Sequence, residues 1–244
     1  MTPAVSIIIP CYNEELRIRA TVHRILAYAG VSEFEFEIFF LNDGSTDKTS
    51  DILHEFRTTR LQNVTFKVLE WDCNQGKGWA VKQGLLNATG QHILICDADL
   101  STPIEDLNKL TAETERFDVI VGSRRVPGSV ITAKQPPIRV FMGKIFSGLS
   151  RIILGVPIND FTCGFKLIEG KCARRIGDRM TISRWGYDSE LLKIASVLKL
   201  RMKEVGVTWA HDSGSKVRLR SDIFSSALEL IKVRWNALCG LYAN

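Results

Sequence analysis

Short apolar runs alternate with amphipathic stretches through the first half of the chain. Residues 5–10 are almost continuously apolar and end in proline, the pattern of a strand buried on both faces of a parallel sheet. Asn13 follows, with Glu14 and Glu15 behind it, which predicts a capped helix start with negative charge at the favourable end of the dipole. Ile18, Val22, Ile25 and Leu26 then recur at helical spacing. The same reading predicts strands at 36–41, 64–69, 93–96 and 118–121. It places a helix start at Thr46-Asp47 and helices over 76–86 and 104–116. Such alternation predicts βαβ units, hence an α/β fold with a mostly parallel central sheet and helices on both faces. Ligands in such sheets sit beyond the carboxyl ends of the strands.

Beyond residue 125 the pattern changes. Residues 127–139 contain Gly128, Pro136 and Pro137 and read as loop. Over 141–154, Phe141, Met142, Ile145, Phe146, Leu149, Ile152 and Ile153 recur at helical spacing, with Lys144 and Arg151 on the other side. A second amphipathic stretch spans 223–238. Helices of this kind lie in a membrane interface, or pack on the protein's own core or a second subunit. No repeat or linker interrupts the chain, which predicts one domain over residues 1–244 with an elaborated part from about 125 onward.

With 244 residues, 45% hydrophobic and 24% charged, the chain can form a packed core, which excludes disorder. The net charge of +5 favours an anionic partner: a nucleotide diphosphate, a lipid phosphate or an anionic membrane. No dense Lys/Arg run supports nucleic acid. The six cysteines lack metal-ligand spacing and read as free thiols of a reducing compartment. Neither a signal-peptide pattern nor a long apolar stretch occurs, so the expectation is a cytoplasmic protein that meets any membrane from its surface.

The candidate chemistry gathers at strand ends. Asp97-Ala98-Asp99 follows the strand 92–96, and side chains at i and i+2 point the same way. Both carboxylates can then reach one Mg²⁺ or Mn²⁺, ions that favour oxygen ligands and that substrate phosphates complete. The alternative is a cap, by Asp99 or Ser101, for the helix after Pro103. Asn42-Asp43-Gly44-Ser45 ends the second strand, where a carboxylate suits ribose hydroxyls or a base edge; a plain turn is the alternative. Asn74-Gln75-Gly76-Lys77-Gly78 opens a helix and suits a phosphate neighbour, without P-loop spacing. Arg124 and Arg125 end the fifth strand as an anion clamp or a solvated basic turn. Trp185, Tyr187 and Trp209 read as pocket walls or core, and His211 as a solvated loop residue.

The ordered set SIIIPCYNE, LNDGSTDKT, NQGKGWAVKQGL, ICDADLS and VIVGSRR resembles glycosyltransferase family 2. NDFTCGFKLI, RWGYDSELL and Gly214-Ser215-Lys216 point to its polyprenyl-phosphate sugar synthases, leaning to the dolichyl-phosphate glucosyltransferase type. The resemblance covers roughly residues 5–220. It implies a nucleotide-sugar-binding GT-A fold of Rossmann-like build. Pro10, Tyr12, Glu14 and Asp43 would line the nucleotide site, and Asp97 and Asp99 would hold Mg²⁺ or Mn²⁺ and the diphosphate. Arg124 and Arg139 would contact the acceptor phosphate and the sugar diphosphate. Asp160 and Lys166 would lie near the reaction centre or its supporting shell, and Ser215 and Lys216 in a loop near the donor. Mannose-transferring relatives often carry glutamine where this chain has Ser101, so the sugar or the metal's surroundings would differ.

The implied reaction moves a hexose, UDP-glucose being the favoured donor and GDP-mannose the next, to a polyprenyl phosphate with inversion. A phosphate acceptor is largely ionised near pH 7 and needs no strong base, whereas a hydroxyl acceptor does. Asp160 is the candidate base if one is used, with a structural role as the alternative. A hydroxyl-acceptor transferase of the same family and a non-catalytic nucleotide-sugar or membrane-binding module are the competing readings.

Overall fold

The structure, a computed structural model, describes residues 3–59, 61–211 and 221–243. Its centre is a seven-stranded sheet ordered β3-β2-β1-β4-β7-β5-β8. The strands are β1 (Val5–Cys11), β2 (Phe36–Asn42), β3 (Val64–Glu70), β4 (His92–Cys96), β5 (Val119–Ser123), β7 (Phe165–Glu169) and β8 (Met202–Gly206). β6 (Val130–Ala133) and β9 (Thr208–Ala210) form a separate parallel pair. The predicted mostly parallel sheet is present, and only β7 runs against its neighbours β4 and β5.

Two layers of helix follow from the two-residue period of the strands. Ile7 and Ile9 point to one side, against Ile18, Val22, Ile25 and Ala29 of α1 (Ile18–Gly30). Leu53 of α2 (Thr49–Glu55) and Leu107 and Leu110 of α4 (Leu107–Thr111) join that layer. Ile8 points to the other side, with Ala80, Val81 and Leu85 of α3 (Lys77–Asn87). There it meets α6 (Gly170–Arg179) and α7 (Tyr187–Val197) through Ile176 and Leu191. Burial on both faces is why β1 and β2 read as continuous apolar runs. α5 (Pro137–Leu154) and α8 (Ser221–Leu238) pack against each other beside this second layer.

Three local expectations are corrected. Asn13 caps no helix: its backbone is left-handed at φ 54°, and its side-chain oxygen accepts the Thr46 N–H at 2.7 Å, so it laces the end of β1 to the end of β2. Helix α1 starts four residues after Glu14, at Ile18. The helix expected over 104–116 is a 3₁₀ turn at Ile104–Asp106 followed by the five-residue α4. Thr111 and Thr114 turn their hydroxyls onto the carbonyls of Asn108 and Thr111, offering the backbone an alternative to further helix. The stretch 127–139, expected as loop, contains β6 and the first turn of α5, which opens on Pro137, where proline's fixed φ suits a first turn.

The carboxylate of Glu190 on α7 is fully buried and serves as a hub. It accepts the N–H groups of Thr181 and Ile182, the Thr181 hydroxyl and, at 2.7 Å, the Tyr242 hydroxyl. It thereby fastens the segment after α8 to the core. Glu190→Ala leaves these donors buried without a partner, and we expect it to cost roughly 2–4 kcal/mol. Tyr242→Phe, which removes one donor only, should cost roughly 1 kcal/mol. Urea unfolding of the two variants against wild type measures both.

Candidate active site

The carboxyl ends of β1, β2, β4 and β5 open into one cleft of about 970 Å³. Pro10, Tyr12, Glu14, Asp43, Lys77, Asp97, Asp99, Arg124 and Arg139 all line it, so the structure gathers most of the residues singled out in the sequence. Ser215 and Lys216 lie outside the described residues.

The β2 end is built around Asp43. Its carboxylate is almost fully buried and accepts the N–H groups of Gln75 and Gly76 at 2.9 and 2.8 Å and the Asn74 amide at 2.9 Å. The turn before α3, expected to face a phosphate, therefore already holds an anion of the protein's own. Gly76 sits at φ 111°, and a Cβ there would meet the Ser183 carbonyl at 2.3 Å, so only glycine lets the two loops come this close.

Lys77, the next residue, points at the β4 end. Its ammonium donates to Asp97 Oδ1 at 2.6 Å and lies 5.7 Å from the ring centres of both Trp185 and Tyr187. Burial would lower its pKa, but Asp97, the Tyr187 ring and Asp188 outweigh burial and hold it well above its ordinary value. Asp99 sits in the cleft floor. Burial, and then the charge of Asp97, push its carboxyl above the usual aspartate range, while the Ser101 N–H donates to Oδ1 at 2.9 Å. The capping alternative is not realised: the turn at Ile104–Asp106 has Pro103 at its N-cap position and no side-chain cap, and Asp99 instead forms an Asx turn. The next residue, Leu100, is left-handed at φ 47°, the kind of strained backbone that gathers at functional sites.

An aspartate whose ionisation burial and a neighbouring carboxylate already disfavour fits a divalent cation, and an all-oxygen pair fits Mg²⁺ or Mn²⁺. Among the described residues no three His, Cys, Asp or Glu side chains gather into a complete cage, so further ligands would have to come from a diphosphate. Room for Asp97 depends on Gly164: a Cβ there would lie 2.0 Å from Asp97 Oδ2.

At the β5 end the supporting role, one of the two expected for Asp160 and Lys166, is the one the geometry favours. Asp160, a candidate base, is fully buried below the cleft wall. Arg124 grips it with Nε and Nη2, both at 2.7 Å, and with its backbone N–H at 3.0 Å. Burial pushes the Asp160 carboxyl up, yet the Arg124 guanidinium wins and holds it at about 2. Asp160 is therefore a positioning residue that aims Arg124, whose guanidinium also donates to Thr162 Oγ1 at 2.9 Å and lies 5.3 Å from the Trp209 ring centre. Lys166 likewise does not reach the cleft. It is fully buried, donates to the Cys163 carbonyl at 2.6 Å, and pairs with Asp188, which does line the cleft.

Trp185 and Trp209 are walls, whereas Tyr187 belongs to the core. His211, expected in a solvated loop, lies in the cleft and stacks on Trp209 with ring centres 6.1 Å apart. Sequence reasoning passed over Gly164 and Asp188, although each lies inside a quoted segment. The glycine carries no chemistry, and the aspartate reads as ordinary charge in the first turn of α7.

Residues 6–177 match the family model for glycosyl transferase family 2. A dolichyl-phosphate β-glucosyltransferase of Dictyostelium discoideum is 29% identical over 248 residues, covering 97% of this chain and 76% of that protein. The Drosophila melanogaster protein of the same name is 33% identical over 224 residues, covering 87% and 68%. Among solved structures, glucosyl-3-phosphoglycerate synthase of Mycobacterium tuberculosis with Mn²⁺, UDP-glucose and phosphoglyceric acid superposes with a TM-score of 0.70 at 15% identity, covering 96% of this chain and 80% of that one. S. aureus TarS 1–349 gives 0.59 at 22%, covering 95% and 65%. The α/β fold is GT-A-like.

Two outcomes follow from this geometry. Gly164→Ala should displace Asp97 and weaken Mn²⁺ binding, measured by calorimetry in the presence of UDP, by roughly 10–100-fold, while the circular dichroism spectrum stays that of the wild type. Asp160 titrates below an ordinary aspartate (~3.9), so its contribution to stability is fully present above about pH 4 and is lost as pH falls toward 2. The stability gap between wild type and Asp160→Asn should accordingly be constant from pH 5 to 7 and shrink below ~4, which chemical denaturation at a series of pH values reads out.

Proposed function

Because the chain belongs to glycosyl transferase family 2, we propose that it transfers glucose from UDP-glucose to a polyprenyl phosphate of the dolichyl type, with inversion at the anomeric carbon. The relatives' shared name supports the sugar and the acceptor. The observation that carries the reading is the charge layout of the cleft: a carboxylate pair with Lys77 on one side, arginines on the other, and Asp160 withdrawn into an ion pair. That layout suits an acceptor that arrives already ionised.

In this reading the nucleotide lies over the ends of β1 and β2, against Pro10, Tyr12, Glu14 and Asp43. Asp97 and Asp99 would hold Mg²⁺ or Mn²⁺. The metal, when bound, neutralises the charge that builds on the departing diphosphate. Lys77, kept protonated by its surroundings, adds a cation beside Asp97. Arg124, aimed by Asp160, and Arg139 at the start of α5 offset the repulsion between the acceptor phosphate and the donor. One acceptor phosphate oxygen bonds to the anomeric carbon, the bond from that carbon to the diphosphate oxygen breaks, and UDP leaves with the electron pair. No proton has to be removed from an ionised phosphate. His211 and Trp209 offer the cleft an aromatic wall on which a sugar or base can stack.

We place the enzyme peripherally on the cytosolic face of a membrane. Among the described residues no helix is long and apolar enough to cross one. α5 instead exposes Ile138, Phe141, Ile145, Leu149 and Ile152 along one side.

The test is to incubate the protein with Mn²⁺ or Mg²⁺, a polyprenyl phosphate and either UDP-glucose or GDP-mannose, measuring nucleotide diphosphate release and the lipid-linked sugar. Release that depends on the acceptor with UDP-glucose, and that falls at least ~10²-fold in Asp99→Asn, is expected. Turnover with an alcohol acceptor alone would replace this reading with hydroxyl transfer.

A further inference from the structure

Helix α5 has three sides. One faces the catalytic cleft through Arg139, Met142, Gly143 and Phe146. The exposed apolar row described above follows. Beyond it, Lys144, Ser147, Gly148 and Arg151, spaced by three and four residues, line a second cavity of about 460 Å³ together with Asn159 and with Arg124 and Arg125, which line the catalytic cleft as well.

That cavity contains four cations and no carboxylate. Only Arg124 has an ion-pair partner: among the described residues none of Arg125, Lys144 and Arg151 lies within 4 Å of a carboxylate oxygen. Asn159 arranges two of them. Its backbone carbonyl accepts from Arg125 at 2.8 Å and its side-chain oxygen from Arg151 at 3.0 Å, while Glu204 fixes Asn159 itself through two 2.8 Å bonds. Each guanidinium keeps further N–H groups to offer.

Ser147 supplies an independent sign. It is 2% exposed, and its hydroxyl has no hydrogen-bond partner. A buried helical serine ordinarily bonds back to the carbonyl four residues before it, as Ser150 does to Phe146 at 2.8 Å. Ser147 does not, although it lines the cavity. At Gly148 no heavy atom lies within 4 Å of where a Cβ would stand, so the way in is open.

We propose that this cavity is a second anion site, separate from the carboxylate pair, and that it takes the phosphate of a lipid headgroup. The neighbouring apolar row decides the source. A phosphate seated between Lys144 and Arg151 has Ile145, Leu149 and Ile152 beside it, where acyl chains would run and a free phosphate would gain nothing.

Flotation with phosphatidylcholine vesicles, with and without phosphatidic acid, tests the site without reference to the sugar transferred. The wild type should prefer the phosphatidic acid vesicles. Lys144→Gln with Arg151→Gln should weaken that preference by roughly fivefold for each charge removed, and Ser147→Ala should weaken it about threefold at unchanged charge. Lys171→Gln, an exposed cation on α6, should leave it within twofold. Equal loss in the Lys171 control, no loss in the double variant, or no effect of Ser147→Ala overturns the site as a built one. Displacement of the protein from vesicles by millimolar inorganic phosphate would overturn the lipid source in favour of a free phosphate.

Discussion

The repulsion between Asp97 and Asp99 is the constraint that the rest of the cleft answers. With the two carboxylates two residues apart at a strand end, burial and the charge of Asp97 both disfavour the ionised form of Asp99. The chain compensates with Lys77, itself placed by the turn that Asp43 ties down. Gly164 leaves Asp97 the space to meet it. Three loops from three parts of the sequence are thus committed to one pair of charges.

The reversed strand β7 matters for a similar reason. Inserted between β4 and β5, it sets the segment before it, with Asp160, Thr162 and Gly164, directly against the ends of both. A strictly parallel order would have put β5 beside β4. The insertion gives the β4 end its glycine and the β5 end its buried counterion, so one segment serves both walls. It also explains why Arg124 can remain charged and oriented in a wall that excludes most water: its anion is fully enclosed behind it.

Much of this was legible in the chain. Strands buried on both faces leave apolar runs that need no context, and the residues at their ends could be named because open α/β sheets bind ligands there. What escaped was whatever carries no periodic signal. β8 mixes Lys203 and Glu204 with Met202 and Val205, and β9 has three residues. The five residues of β7 are legible only as part of a motif segment and do not read as a strand at all, and strand direction leaves no mark on composition. Nor does a run of letters distinguish a carboxylate that meets a substrate from one that aims an arginine. Asp160 and Asp43 are both charged residues at strand-end loops, and only the distances to their partners show that each is occupied.

The registry of β1, β2 and β3 has its own consequence. Val5, Phe36 and Val64 stand side by side, and the three strands run in step for seven residues to Cys11, Asn42 and Glu70. Their ends are flush, so the loops beyond them start from one level. Inserting or deleting a single residue in β1 or β2 would carry its loop about 3.3 Å along and turn every following side chain to the opposite layer. Divergence in this region is therefore free to change letters but not length, and lineages that remodel what the cleft accepts would be expected to gain and lose residues elsewhere, in the later connections, where no such alignment has to be kept.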